Sequence, residues 1–402
     1  MNDRPDIFRH AQTTRLALTL LTIALLALRK SDSLLNPQFW AEDGALFFIE
    51  AERHGGWGLL FHPYEGYLHL LPRLIAALGT SVPLLHVPAF YAWTSLAVTG
   101  IVAWCLQSPR LRLPCGWVAA LALALVPHTG EVYLTACNLQ WITALALFGL
   151  ALSRDATSPL GQIGDFALLV FTGLSGPFIL LALPLFAWRG VTLRSRASLG
   201  LLAAAFACAA AHVPALLARA TPDDQPPWAP FHHLAVVGRR WIGSLFLGPY
   251  SPGEIPFALL TLVGVPVLAW ALWRRRKQTV GGLPLLLTAV LVLAAASYKV
   301  RPDTWTLSEL GNGDRYFFIP KIILLWLLAS LATTFSTRAR ISLGAVLLLP
   351  LVVNAPRFFI PPAPDQNWKN SCALIEQGEP VSVPILPAPD TTILHPGRRP
   401  LR

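Results

Sequence analysis

The stretch RLALTLLTIALLALRKSDSLLNPQFWAEDG, residues 15–44, decides the fold. Between Arg15 and Arg29 every side chain is apolar or a threonine, so a helix there has no polar face to offer water. The run is read as a membrane span over about 16–35. Arg4, Arg9 and Arg15 precede it as they would a secretory leader. No small-residue cleavage site follows, however, and Arg29, Lys30 and Asp32 do, so the segment is expected to be retained. Directly afterwards, Phe39-Trp40-Ala41-Glu42-Asp43-Gly44 sets two adjacent carboxylates beside the bilayer. A chain has little reason to do this unless the acids are used or well solvated.

Working outward, the same character fills the chain. Its 402 residues are 54% hydrophobic and 13% charged, with a mean hydropathy of +0.54. A soluble domain carries roughly 25% charged residues, so about half the usual surface charge is missing. Apolar runs recur at about 86–106, 115–128, 138–153, 165–174, 176–189, 197–217, 255–273, 281–298, 316–334 and 341–355. With the first run they predict an all-α, polytopic integral membrane protein of about eleven transmembrane helices.

The net charge of +10 follows the same parse. One set of loops holds fifteen bases, with clusters at Arg110 and Arg112, Arg189 to Arg196, and Arg274 to Lys277, against only Asp3, Asp6, Asp155 and Asp165. The other loops hold the remaining sixteen bases and seventeen acids. Basic excess in short loops marks the cytoplasmic side, which puts the N-terminus inside and the C-terminus outside a bacterial inner (plasma) membrane. The charge is therefore topology, and no nucleic-acid partner is expected. Five cysteines show no CxxC pair, and most lie in or beside apolar runs as small hydrophobes.

The run from Asp165 to Arg189 has basic flanks at both ends, so it must cross an even number of times. Gly173-Leu174-Ser175-Gly176-Pro177 breaks it, which predicts two short or re-entrant helices meeting where irregular backbone is buried in protein. The first far-side loop, about 36–85, carries amphipathic stretches Ala45–Ala51 and Tyr67–Leu78, expected as interfacial helices. The transmembrane domain is set at 1–355, and residues 356–402 form a short Pro-rich tail with strand-like alternation at Pro380–Ile385.

A carboxylate at the membrane boundary can act as general base, and partial desolvation raises its pKa toward that task. The competing reading of Glu42-Asp43 is a solvated loop acid, or Asp43 as a helix N-cap. Asn138, Gln140 and Trp141 open a span with amides and an indole suited to sugar hydroxyls, and Glu131 lies just before them. An aromatic interfacial belt accounts equally for Trp141. His62, Glu65 and His69 share helical spacing, but Pro63 and Gly66 interrupt it, and no metal site is assigned. There is no GxSxG, HExxH, P-loop or dinucleotide fingerprint.

Taken together, Trp40-Ala41-Glu42-Asp43-Gly44, Gly66-Tyr67, Pro72-Arg73, Asn138-Leu139-Gln140-Trp141, Leu174-Ser175-Gly176-Pro177 and Asp314-Arg315-Tyr316 resemble a bacterial branch of the GT-C superfamily of membrane glycosyltransferases. The resemblance covers most of the chain as architecture, while its shared chemical motif is the acid pair and its position. It implies an inverting enzyme that uses a polyprenyl-phosphate sugar donor and a lipid or glycan acceptor in the cell envelope. Asp43 would take the acceptor proton, and Glu42 would orient the acceptor, Asp43 or a bound divalent cation; the two could exchange roles. Because the leaving group would be a phosphate, cationic donors are required. Arg315, Arg301, Lys299 and Arg73 are the expected phosphate ligands, with Arg239-Arg240 a second cluster and snorkelling the alternative for each. Arg73 could instead pair with Glu42 or Asp43. Tyr67, Tyr316, Asn138, Gln140, Trp141 and Glu131 form the expected substrate-binding set.

Two other classes are carried forward. A transporter or flippase of a lipid-linked envelope precursor would place ionisable groups at midplane depth, where these runs have almost none. A non-catalytic envelope-assembly subunit would tolerate neutralisation of both acids.

Overall fold

The computed structural model describes residues 4–218, 229–299, 307, 313–387 and 392–395. Each of the eleven apolar runs folds as a helix, but among the described residues six helices are long and apolar enough to cross a membrane. These are Ala11–Arg29, Leu84–Leu106, Arg196–Ala218, Glu254–Arg274, Arg315–Ala332 and Thr337–Arg357. Shorter apolar helices join them, including Gly116–Leu125, Leu139–Ala151 and Phe178–Leu193. The chain is a helical membrane protein.

Two helices make the centre. Every residue of Leu139–Ala151 is buried, as is 89% of the apolar window in Arg315–Ala332. The outer helices differ: only 17% of the window in Ala11–Arg29 and 11% in Thr337–Arg357 is covered by protein. Their remaining apolar surface needs lipid, since a helix apolar all round must be buried in something.

The shortness of several helices has a local cause, because irregular backbone takes up the rest of each run. Between Gly116–Leu125 and Leu139–Ala151, residues 126–138 lie largely inside the protein, with Thr129 exposed, and each buried polar backbone group there needs a partner. Arg29 supplies several, donating to the carbonyls of Ala124 at 2.6 Å, Val126 at 2.8 Å and His128 at 3.2 Å. Lys30 donates to Gly130 and Tyr133 carbonyls at 3.0 and 2.7 Å. The two bases that follow the first span are thus turned inward as carbonyl clamps.

The expected break between Pro159–Gly173 and Phe178–Leu193 is present. Loop one satisfies it: the Leu70 amide donates to Leu174 carbonyl at 3.0 Å and the Leu71 amide to Ser175 Oγ at 2.9 Å. His212 Nδ1 accepts from the Leu68 amide, which leaves its Nε2–H to donate to Gly173 carbonyl at 2.8 Å. Within loop one, a π-helical turn Asp43–Phe48 runs into the helix Ile49–His54, and Leu70–Gly79 follows.

The tail is not an appendage. Its amides at Ile360 and Ala363 donate to Arg29 carbonyl and Asp32 Oδ2, and Trp368 packs edge-on to Phe39 at 5.0 Å. Strands Val381–Pro384 and Thr392–His395 pair antiparallel, in line with the alternation seen in the sequence. Leu386 then bridges to Trp40: its amide donates to Phe39 carbonyl, and its carbonyl accepts the Ala41 amide.

Candidate functional site

A cavity of about 480 Å³ opens where loop one meets the N-terminal ends of three helices. Asn138, Gln140 and Trp141 come from the start of Leu139–Ala151, Pro177 and Phe178 from the start of Phe178–Leu193, and Arg315 and Tyr316 from the start of Arg315–Ala332. Loop one contributes Glu42, Glu65 and Tyr67. The polar end therefore gathers positive helix ends and one guanidinium opposite carboxylates. Leu180, Leu216 and Val292 form an apolar side wall from three apolar helices.

Seven of the residues anticipated from sequence line this cavity: Glu42, Tyr67, Asn138, Gln140, Trp141, Arg315 and Tyr316. Arg315 is held rather than free. Its amide and Nη1 donate to the two oxygens of Glu131 at 2.7 and 2.9 Å, and its guanidinium lies 5.2 Å from the Tyr316 ring centroid. Glu131 thus stands behind the cavity as the anchor of Arg315 and not in its lining. Burial pushes the Glu131 carboxyl up, against the pull of that guanidinium.

Among the described residues, two buried polar atoms in the lining have no hydrogen-bond partner, Trp141 Nε1 and Gln140 Oε1. Buried polar atoms are rarely left unpaired, so this donor and acceptor are suited to a hydroxyl-bearing ligand. Gln140 is seated by Gly176, since a Cβ built there would lie 2.8 Å from Gln140 Cβ and 2.6 Å from its Oε1. The Gly-Pro break thus has a second use, the close approach of backbone to a lining residue.

The acid pair divides. Glu42 lines the cavity and is half-buried; it makes no hydrogen bond or ion pair among the described residues. Asp43 is 3% exposed and points away, accepting the amides of Ala136 at 2.9 Å and Cys137 at 2.6 Å. Burial pushes its carboxyl up to about 7 although these two amides oppose the shift. As the first residue of its turn, Asp43 is no N-cap; its side chain ties loop one to residues 136–137.

The placement of Arg73 departs from expectation. It is 2% exposed and donates to Glu50 and to His62 carbonyl, stacked 5.3 Å from the Phe47 ring. Its helix buries it against loop one, so Glu50, and neither Glu42 nor Asp43, is its partner, and it does not reach the cavity. Only the backbone of Lys299 is described, and Arg301 lies outside the described residues. Arg239 and Arg240 are buried on the π-helical turn Gly238–Gly243, away from the cavity lining.

Sequence reasoning missed Glu65 as a cavity residue, having weighed it only as a metal ligand. Its positive φ of 51° between Tyr64 and Gly66 marks a tight turn that brings it in. Among the described residues, no group of three His, Cys, Asp or Glu side chains is arranged around a metal position. No known family model matches the chain, and neither a curated protein nor a solved structure is significantly similar to it.

Proposed function

We propose that this chain is a GT-C-type membrane glycosyltransferase, moving a sugar from a polyprenyl-phosphate donor to a lipid or glycan acceptor in the cell envelope. In this reading all eleven apolar helices belong to the membrane domain, with the N-terminus cytoplasmic and the cavity opening to the far side of a bacterial inner membrane. The observation that carries it is the composition of the cavity: a carboxylate with no hydrogen bond or ion pair among the described residues, Glu42, shares it with a guanidinium, three helix N-termini and an apolar wall. A sugar phosphate on a long apolar chain needs each of these.

The roles of the two acids are exchanged relative to the sequence expectation. Glu42 takes the proton of the acceptor hydroxyl, whose oxygen attacks the anomeric carbon as the bond to the phosphate oxygen breaks. Polyprenyl phosphate leaves with the bonding electrons, and Arg315 offsets the developing charge with N–H groups not used by Glu131. Trp141 Nε1 and Gln140 Oε1 bind sugar hydroxyls. Asp43 keeps residues 136–138 in place.

The test is glycan profiling of cells lacking the chain and complemented with wild type or Glu42→Gln at matched protein level. One envelope glycan modification should vanish with the gene, return with wild type and stay absent with Glu42→Gln. An unchanged glycan profile on loss of the gene would refute the enzyme reading in favour of transport or assembly. Full rescue by Glu42→Gln would refute the role of Glu42.

A further inference from the structure

A second cavity, of about 490 Å³, runs along the first helix of the broken pair and shares no lining residue with the proposed active site. The helices Val87–Leu106 and Pro159–Gly173 both pack on Leu139–Ala151, and the space between them forms a groove over that helix. The groove runs from Gly161 to Thr172 along one wall, on the order of 16 Å by the helical rise, or about one leaflet of a roughly 30 Å hydrocarbon core. Val98, Ile101, Ala146, Leu168 and Phe171 make it apolar along its length.

One end is different. Arg15 lies flat on Trp104, 3.9 Å from the ring centroid, and donates to Trp104 carbonyl at 3.1 Å and Gln12 Oε1 at 3.2 Å. These contacts fix its guanidinium at the groove mouth while its Nε is buried with no partner. Arg110 stands beside it, its charge matched by a bidentate pair with Asp165 at 2.7 and 2.6 Å. The first turn of Pro159–Gly173 borders the same end, capped by Ser158 on the Gly161 amide at 3.1 Å. Asp165 being satisfied, the surplus at this end among the described residues is one fixed cation and one positive helix terminus. Gly161 and Gly164 leave the wall there without side chains, and a Cβ at Gly164 would meet nothing within 4 Å.

We propose that this groove is a binding site for one anionic phospholipid, its phosphate at Arg15 and one acyl chain along the groove. An apolar channel of this length does not suit a free anion, and an electroneutral headgroup leaves the surplus charge unmatched. The site is independent of the glycosyltransferase reading and stands if that reading fails.

The experiment is native mass spectrometry of the full chain, delipidated in detergent and titrated with phosphatidylglycerol or phosphatidylcholine of matched acyl chains. Wild type should retain one phosphatidylglycerol with a preference of about tenfold or more, the scale of one charge-assisted hydrogen bond. Arg15→Gln should bring the two lipids close to parity. Gly164→Leu, whose Cβ meets no protein atom within 4 Å and which favours the helix, should obstruct the groove and lower retention of both. Equal retention of the two lipids by wild type would overturn the proposal, as would undiminished retention by Gly164→Leu. Displacement of the lipid by millimolar inorganic phosphate alone would also overturn it, by showing that only a free anion is recognised.

Discussion

Asp43 ties together the backbone at the edge of a cavity that it does not line. Its two oxygens accept adjacent backbone amides, which a neutral amide side chain cannot reproduce, so Asp43→Asn leaves at least one buried N–H facing a donor at a cost of about 1–3 kcal/mol. The pH dependence has a definite sign. Burial raises the carboxyl from 3.8 to about 7, so between those values the folded chain holds a proton that the unfolded chain has released. The stability contributed by this proton is complete below 3.8 and is lost as pH rises through about 7. Melting of wild type and Asp43→Asn in detergent across that range should show the wild-type advantage shrinking with rising pH and then levelling. A difference independent of pH would mean that Asp43 does not titrate in the fold as its surroundings require. Adjacent acids of opposite orientation also explain why the sequence left their roles open: neighbouring residues in a tight turn face different ways, and only the distant amides at 136 and 137 show which one turns inward.

At the scale of elements, the tail is the part whose role was least legible. Its strand alternation and its shortness could be read directly, but not its docking, because partners such as Asp32 and Trp40 lie more than three hundred positions earlier. Ala41 sits immediately before Glu42 with a φ of +41°, a conformation costing a non-glycine residue of order 1–3 kcal/mol, and the Leu386 carbonyl holds its amide. The tail therefore sets the backbone from which Glu42 projects. Removing residues 380–402 should expose the Ala41 amide to hydrogen exchange. It should also lower transfer by about tenfold or more, equivalent to roughly 1.4 kcal/mol of lost positioning, at unchanged protein level. Continued protection of that amide in the truncated chain would show that loop one holds its own shape. The break at Gly173–Pro177, by contrast, was legible in advance, because charge at both flanks forced a return and Gly-Pro marked where.

At the scale of the whole molecule, the membrane class was legible because long uncharged runs have few other solutions in water, and each of those runs is a helix. Their lengths were not, since the interior takes up loop 126–138 and the break by means of Arg29, Lys30 and His212, partners that no periodicity reveals. The cavity combined residues from loop one and five helices, and the aromatic and amide signals at helix starts found part of its polar end, Asn138, Gln140, Trp141 and Tyr316, but not its apolar wall. Arg73 shows the limit, because a buried cation takes the nearest carboxylate in space, here Glu50. The central claim is that this cavity transfers a sugar from a polyprenyl phosphate, with Glu42 as base. Its most direct test is the purified full chain in proteoliposomes, supplied with polyprenyl-phosphate sugars and extracted envelope lipids and glycans, with release of polyprenyl phosphate followed by mass spectrometry. Release should require both wild-type chain and acceptor and fall by about a hundredfold or more in Glu42→Gln, the usual scale for loss of a general base. Absence of release with every donor and acceptor pool, or release undiminished by Glu42→Gln, would contradict it.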